Sequence, residues 1–245
     1  MRRIKLTVAY DGTDYHGWQL QPGCATIEGE LNRQLTLLLG EKITVIGASR
    51  TDAGVHGLCN IAVFDTNSRI PGDKFSYALN QRLPEEIRIR HSEEVEEDFH
   101  PRKVPSLKTY EYRIINEEFS NPLEQRYAYF TYVPLNLSRM QRASAYLVGE
   151  HDFASFCAAG STAETTIRKI YDLQVTREGS LIRIRVTGNG FLYNMVRIIA
   201  GTLIEVGKGK IDPQEVGEIL EARNRKKAGP TAPARGLILV EYKFT

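Results

Sequence analysis

Cysteine is scarce in this chain of 245 residues. Cys24, Cys59 and Cys157 lie far apart, without the short paired spacing of zinc or redox motifs. No apolar run approaches the roughly 20 residues needed to span a bilayer. The N-terminus lacks the apolar core and the cleavage site of a signal peptide. We therefore expect reduced thiols in a cytoplasmic protein that does not contact a membrane.

Several catalytic signatures are also absent. Residues 188–191 lack the third glycine of a dinucleotide-binding fingerprint, and there is no Gly-Lys-Ser/Thr loop to hold phosphates. There is no nucleophile-elbow serine motif, and the five histidines show no metal-ligand spacing. These absences argue against an NAD-dependent, nucleotide-hydrolysing or zinc enzyme. They leave a site without cofactor or metal, centred on a carboxylate.

Hydrophobic periodicity predicts an α+β fold. Residues 3–10 alternate as a half-buried strand does, and a helix is expected to begin after Thr26 and end at Gly40. Further strands are predicted at 42–46, 59–65, 87–95, 107–115, 167–176, 181–187 and 237–244, and further helices after Pro71, at 137–147, at 192–206 and from Asp212. Because helices fall between hairpins, we expect a largely antiparallel or mixed sheet. A boundary near 102–106 predicts two similar halves, residues 1–104 and 105–245.

The segment 47–57 reads Gly-Ala-Ser-Arg-Thr-Asp-Ala-Gly-Val-His-Gly and places Arg50 and Asp52 between two predicted strands. Its glycines and small residues permit tight turns and leave the backbone open to a large ligand. Loop tips that rigid elements hold in place often carry binding or catalytic groups. The alternative interpretation is an ordinary hairpin in which Asp52 only caps the turn.

Arg197 interrupts a predicted helix that is apolar nearly all round, and such helices are usually buried. A buried cation without a carboxylate is costly, so Asp52 is a candidate partner. That pairing would keep the Asp52 carboxylate ionised. Alternatively, Arg197 extends its charged end to solvent.

Two further features allow two interpretations each. Tyr110 and Tyr112 share one face of a predicted strand, where they either stack on bases and sugars or pack into the core. A basic cluster near the C-terminus either contacts phosphates or forms a solvated face. The cluster consists of Arg223, Arg225, Lys226, Lys227 and Arg235.

Five motifs occur in order along the chain. They are YDGTDYHGWQ at 10–19, RTDAGVH at 50–56, KTYEY at 108–112, HDF at 151–153 and GNGFLYNMVR at 188–197. Together they resemble the TruA family of tRNA pseudouridine(38-40) synthases, and the resemblance covers the whole chain. It implies the pseudouridine synthase fold, with two similar α+β halves around a central cleft. The chain departs from the family pattern at Ser49 and Gly57, where the family more often has Gly and Ala, and neither departure removes a functional side chain.

The resemblance implies an isomerase that cleaves the N-glycosidic bond of a flipped uridine, rotates the base and rejoins it through carbon, with no cofactor. Asp52 matches the essential aspartate, which either attacks the sugar or removes a ribose proton. Arg197 matches its arginine partner. Tyr110 matches the active-site tyrosine, suited to binding the flipped base and to proton transfer. Arg50 matches the residue that enters the space left by the base.

The resemblance also implies tRNA as the partner, contacted through its anticodon stem-loop, and a homodimer in which one tRNA contacts both subunits. Two rival functions stay open. A non-catalytic RNA-binding module would have kept the surface without the chemistry, and a carboxylate-based hydrolase would release free uracil. Asp52, Tyr110 and Arg197 are present together, which favours the isomerase.

Overall fold

The computed structural model describes all 245 residues. The chain divides into two compact units, one made of Met1–Ser106 with Leu239–Thr245 and the other of Leu107–Ile238. The sequence places the division at 104/105 and assigns the C-terminus to the second half. In the structure the last seven residues belong to the first unit, because they form most of a strand that pairs there.

The first unit is a sheet with helices packed on it. Its strands follow the order β4-β1-β3-β10, with the short β2 beside β3. The elements are β1 (Arg2–Tyr10), α1 (Ile27–Leu39), β2 (Ile46–Gly47), β3 (His56–Thr66), α2 (Phe75–Asn80), β4 (Ile87–Val95) and β10 (Leu237–Phe244).

The first strand and the first helix form as the sequence predicts. Ile4, Leu6 and Val8 of β1 are completely buried, which confirms the alternating pattern. The Thr26 side chain accepts a hydrogen bond from the amide of Gly29, so it caps α1. At the other end Gly40 adopts φ 68°, the left-handed conformation in which helices commonly end.

The strand predicted at 42–46 is wrong for most of its length, since only Ile46–Gly47 pairs with β3. Side chains of α1 accept hydrogen bonds from backbone amides that would pair with a neighbouring strand in a sheet. The amide of Ile43 donates to Thr36 Oγ1 at 3.2 Å, and the amide of Val45 donates to Asn32 Oδ1 at 2.8 Å. Apolar, β-branched composition therefore marks burial here and not sheet pairing.

The second unit contains a sheet in the order β5-β9-β8-β7, antiparallel throughout, with β6 parallel to β5. The mixed sheet confirms the α+β prediction. The elements are β5 (Ser106–Asn116), β6 (Tyr129–Thr131), α3 (Leu137–Ala145), β7 (Gly149–Asp152), β8 (Ile167–Glu178), β9 (Leu181–Gly188), α4 (Met195–Gly207) and α5 (Glu215–Glu221).

The remaining predicted elements are present, with shifts at their ends. Neither β6 nor β7 was predicted, because strands of three and four residues show no readable alternation. The helix expected from residue 192 begins at Met195, after Asn194 with φ 59°. None of the helices is both long and apolar enough to cross a membrane.

Candidate active site

The Asp52 loop joins β2 to β3. Gly47 pairs with Ala62, and the Asn60 side chain bonds both the amide and the carbonyl of Ser49, at 3.2 and 2.9 Å. Residues 50–55 then form the tip, where the amide of Val55 donates to the backbone carbonyl of Asp52 at 3.1 Å. Asp52 is half-buried and Arg50 is exposed. The loop is thus a hairpin turn in which Asp52 keeps a partly exposed side chain.

The segment between β1 and α1 holds this loop from one side. The Tyr10 hydroxyl lies 2.8 Å from Thr51 Oγ1, and the amide of Trp18 donates to the Thr51 carbonyl at 3.0 Å. Beyond Asp52, the amide of Gly54 donates to the Tyr15 carbonyl at 3.2 Å. The backbone on both sides of Asp52 is therefore tied to the motif at 10–19.

Two glycines make this close approach possible. A Cβ at Gly12 would lie 2.0 Å from the Val55 carbonyl oxygen, and one at Gly17 would lie 2.4 Å from the Thr51 carbonyl oxygen. Both distances are shorter than van der Waals contact allows. Any side chain at these positions would push the Asp52 loop away.

His56, the first residue of β3, is buried beside the same segment. Its Nδ1 lies 3.1 Å from the amide of Gly12 and 3.1 Å from Asp11 Oδ1. The ring nitrogen accepts from Gly12 when it is unprotonated, and it donates to Asp11 when it carries a proton. His56 thus connects the strand that follows Asp52 to the turn that follows β1.

Arg102 lies beside the Asp52 loop, a position that the sequence did not reveal. Its Nε donates to the Gly47 carbonyl at 2.7 Å, which places a second guanidinium beside the loop that carries Arg50. Burial lowers the Arg102 pKa, and the positive charge of Arg50 lowers it further. A hydrogen bond across 55 residues of sequence gives no local signal that could have identified Arg102.

The two tyrosines of β5 belong to the second unit. Tyr112 is completely buried, burial raises its pKa, and its hydroxyl donates to the Pro233 carbonyl at 2.8 Å. Tyr110 is 7% exposed and meets the ring of Phe191 edge-on, with centroids 5.2 Å apart. Tyr112 is therefore a core residue, and Phe191 fixes the orientation of the Tyr110 ring.

Arg197 lies in the first turn of α4. All residues of this helix are buried except Arg197 and Glu205, which are half-buried. Within the second unit, Arg197 Nε donates to the Ala232 carbonyl at 2.8 Å and Nη1 donates to Asn194 Oδ1 at 2.7 Å. The sequence did not indicate either acceptor.

The members of the basic cluster differ in burial and in hydrogen-bond partners. Arg225 is turned inward, because it bonds the carbonyls of Ala228 and Gly229 at 3.3 and 2.9 Å. Arg223 pairs with Asp152 at 3.2 Å. Arg223 is nevertheless exposed, as are Lys226, Lys227 and Arg235. Only part of the cluster is available to phosphates.

Comparisons with known proteins identify the family of this chain. A family model described as tRNA pseudouridine synthase matches residues 6–102 and 143–245. The chain is 51% identical to tRNA pseudouridine synthase A of Acetivibrio thermocellus, and the match covers all of both chains. It is 49% identical to tRNA pseudouridine synthase A of Ruminiclostridium cellulolyticum, again over the full length of both.

The chain therefore belongs to the tRNA pseudouridine synthase family and has the pseudouridine synthase fold. The resemblance to the TruA family that its motifs suggest is confirmed. A crystal structure of the archaeal box H/ACA sRNP Nop10-Cbf5 complex is also similar over 92% of this chain and 60% of that chain, with a TM-score of 0.35 and 11% identity. Those values are too low to contribute to the assignment.

Proposed function

We propose that this chain isomerises uridine to pseudouridine at positions 38, 39 and 40 in the anticodon stem-loop of tRNA. The observation that carries the proposal is the full-length match, at 51% identity, to a tRNA pseudouridine synthase A. The enzyme is an isomerase, since the bond between uracil N1 and ribose C1′ breaks and the same uracil rejoins C1′ through its C5. The reaction gains and loses no atoms and requires no cofactor.

We assign the central role to Asp52. It acts either as the nucleophile at the sugar or as the base that removes a ribose proton, and both routes require an ionised carboxylate. The supporting observation is its place at the tip of a loop whose backbone is held on both sides of Asp52. A carboxylate on a fixed backbone loses little freedom when it approaches the reacting atom.

Arg197 and Tyr110 complete the proposed site. Arg197 would pair with the Asp52 carboxylate and keep it ionised. The bonds to Ala232 and Asn194 support this role, because they orient the guanidinium before any substrate arrives. Tyr110 would stack on the flipped uracil and transfer a proton in the final step. Its fixed ring supports that role, since an immobile aromatic surface binds a base at little entropic cost.

Arg50 and Arg102 would bind the RNA strand. Extruding a nucleotide costs a few kcal/mol, which contacts to the neighbouring phosphates must offset. Arg50 would enter the space that the base leaves, and its exposure at the loop tip supports this role. Arg102 holds its guanidinium beside the same loop, which supports a phosphate contact there.

We further propose that the protein is cytoplasmic and works as a homodimer, with one tRNA contacting both subunits.

Tritium release tests the proposal directly. The protein is incubated with tRNA tritiated at uridine C5, without ATP or added metal, and the expected result is release of tritium with no free uracil. Binding without release would favour the non-catalytic RNA-binding module. Free uracil as a product would favour the hydrolase.

A further inference from the structure

The residue that precedes Asp52 is held by one side chain from another strand. Thr51 is 7% exposed, and its hydroxyl lies 2.8 Å from the hydroxyl of Tyr10, which is 5% exposed. The backbone amide of Trp18 also donates to the Thr51 carbonyl at 3.0 Å. The hydrogen bond between the Tyr10 and Thr51 hydroxyls can therefore be removed by a conservative substitution, Tyr10→Phe.

The position of the Tyr10 side chain is held by several contacts. It is the last residue of β1 and pairs with Gly57 on one side and Ile87 on the other. Its ring packs against Trp18, with centroids 5.8 Å apart, and against the backbone of Gly57, where a Cβ would come within 2.8 Å of the ring. The hydroxyl is thus held by the central strands of the sheet and not by a loop.

We propose that Tyr10 is a positioning residue that orients Asp52 through Thr51. The proposal rests on the function assigned to Asp52 above. Because Thr51 and Asp52 are adjacent, a change in the backbone torsion angles of Thr51 changes the direction in which the Asp52 carboxylate projects. A misplacement of about 1 Å can cost on the order of a hundredfold in rate, so one hydroxyl can matter without touching the substrate.

The first test compares Tyr10→Phe with Tyr242→Phe. The second variant removes a hydroxyl that bonds the Pro101 carbonyl at 3.0 Å in the same unit. We expect Tyr10→Phe to lower the kcat of tritium release about tenfold with little change in KM, and Tyr242→Phe to change neither. Trp18, the single tryptophan, is completely buried against Tyr10 and reports on the fold. Its emission should stay that of a buried indole in both variants.

The second test separates positioning from direct contact with the substrate. Thr51→Val removes the other hydroxyl, so the Tyr10→Phe/Thr51→Val double variant should be no slower than the slower single variant. Thr51→Ser keeps the hydroxyl and should retain kcat. Rate losses that multiply in the double variant, or an unchanged kcat in Tyr10→Phe, would overturn the proposal. An inactive wild-type protein would instead overturn the function on which it rests.

Discussion

Arg197 and Ala232 hold each other by two reciprocal hydrogen bonds. The guanidinium Nε of Arg197 donates to the Ala232 carbonyl at 2.8 Å, and the Ala232 amide donates back to the Arg197 carbonyl at 3.0 Å. Together they tie the first turn of α4 to the segment that precedes β10. Nη1 of Arg197 also donates to Asn194 Oδ1 at 2.7 Å, so two acceptors of the second unit help to orient the guanidinium.

Asp52→Asn should abolish turnover while tRNA affinity stays within a few-fold of wild type. The amide keeps the shape of the carboxylate but can neither attack the sugar nor remove a proton. Tritium release and filter binding measure the two quantities. Asp73→Asn is the matched control, since Asp73 is an exposed carboxylate of the same unit, paired with Lys74. Turnover by Asp52→Asn would exclude Asp52 as the catalytic centre.

Arg197→Ala should lower both activity and stability. It leaves acceptors on the buried Ala232 and the half-buried Asn194 without the Arg197 donor, which costs about 1–3 kcal/mol. The proposed pairing with Asp52 would be lost as well. Urea unfolding and tritium release are the measurements. Arg197→Lys keeps the charge but not the planar geometry of the donors, so it should recover stability only in part. A fully stable and active Arg197→Ala variant would show that neither role exists.

Gly17→Ala should disturb the Asp52 loop far more than Gly23→Ala. Both glycines have positive φ, 86° and 73°, so alanine at either position pays about 1–2 kcal/mol in backbone strain. At Gly17 the new Cβ would also meet the Thr51 carbonyl at 2.4 Å, whereas nothing lies within 4 Å at Gly23. Activity should therefore fall in the first variant alone. Equal activity in the two variants would mean that the loop tolerates displacement.

Binding of tRNA should weaken steeply as salt rises, because phosphate contacts release counterions. Replacing Arg102 by Gln should reduce the slope of log K against log salt by about one. Arg33→Gln, which removes an exposed arginine paired with Glu30 at 2.7 Å, should leave the slope unchanged. Affinity measured from low to moderate salt checks both statements. A flat profile for the wild type would argue against tRNA as the ligand.

The Arg3–Asp65 pair should make stability depend on pH in acid. Two hydrogen bonds of 2.7 Å join the side chains, and the bond from Arg3 is the main reason that the Asp65 pKa lies below its usual value. A depressed carboxyl pKa stabilises the fold above the unfolded pKa of about 4, and this contribution is lost as pH falls through the folded value. Asp65→Asn should therefore lower the unfolding midpoint at neutral pH. The difference from wild type should shrink below about pH 4, and a constant difference would contradict this account.

The local sequence was sufficient to predict an element wherever residues close together in the chain determine it. The alternation in β1, the cap at Thr26 and the left-handed end at Gly40 depend on neighbours within one or two turns. Prediction failed where a hydrogen-bond partner that is distant in the sequence determined the local structure. The stretch 42–46 has the composition of a strand, but α1 side chains capture its amides. Arg102 meets Gly47 across 55 residues, and no local pattern records that bond.

The sequence by itself determined the α+β class and the family, and it named Asp52 as the candidate catalytic residue, because hydrophobic periodicity and the order of the motifs can be read from the residues alone. Only the tertiary structure decided how the Asp52 loop is held. Tyr10, Gly12 and Gly17 reach Thr51 and Val55 because β1 and β3 lie side by side in one sheet. Hydrogen bonds and close packing act over a few ångströms of space, whatever the separation along the chain.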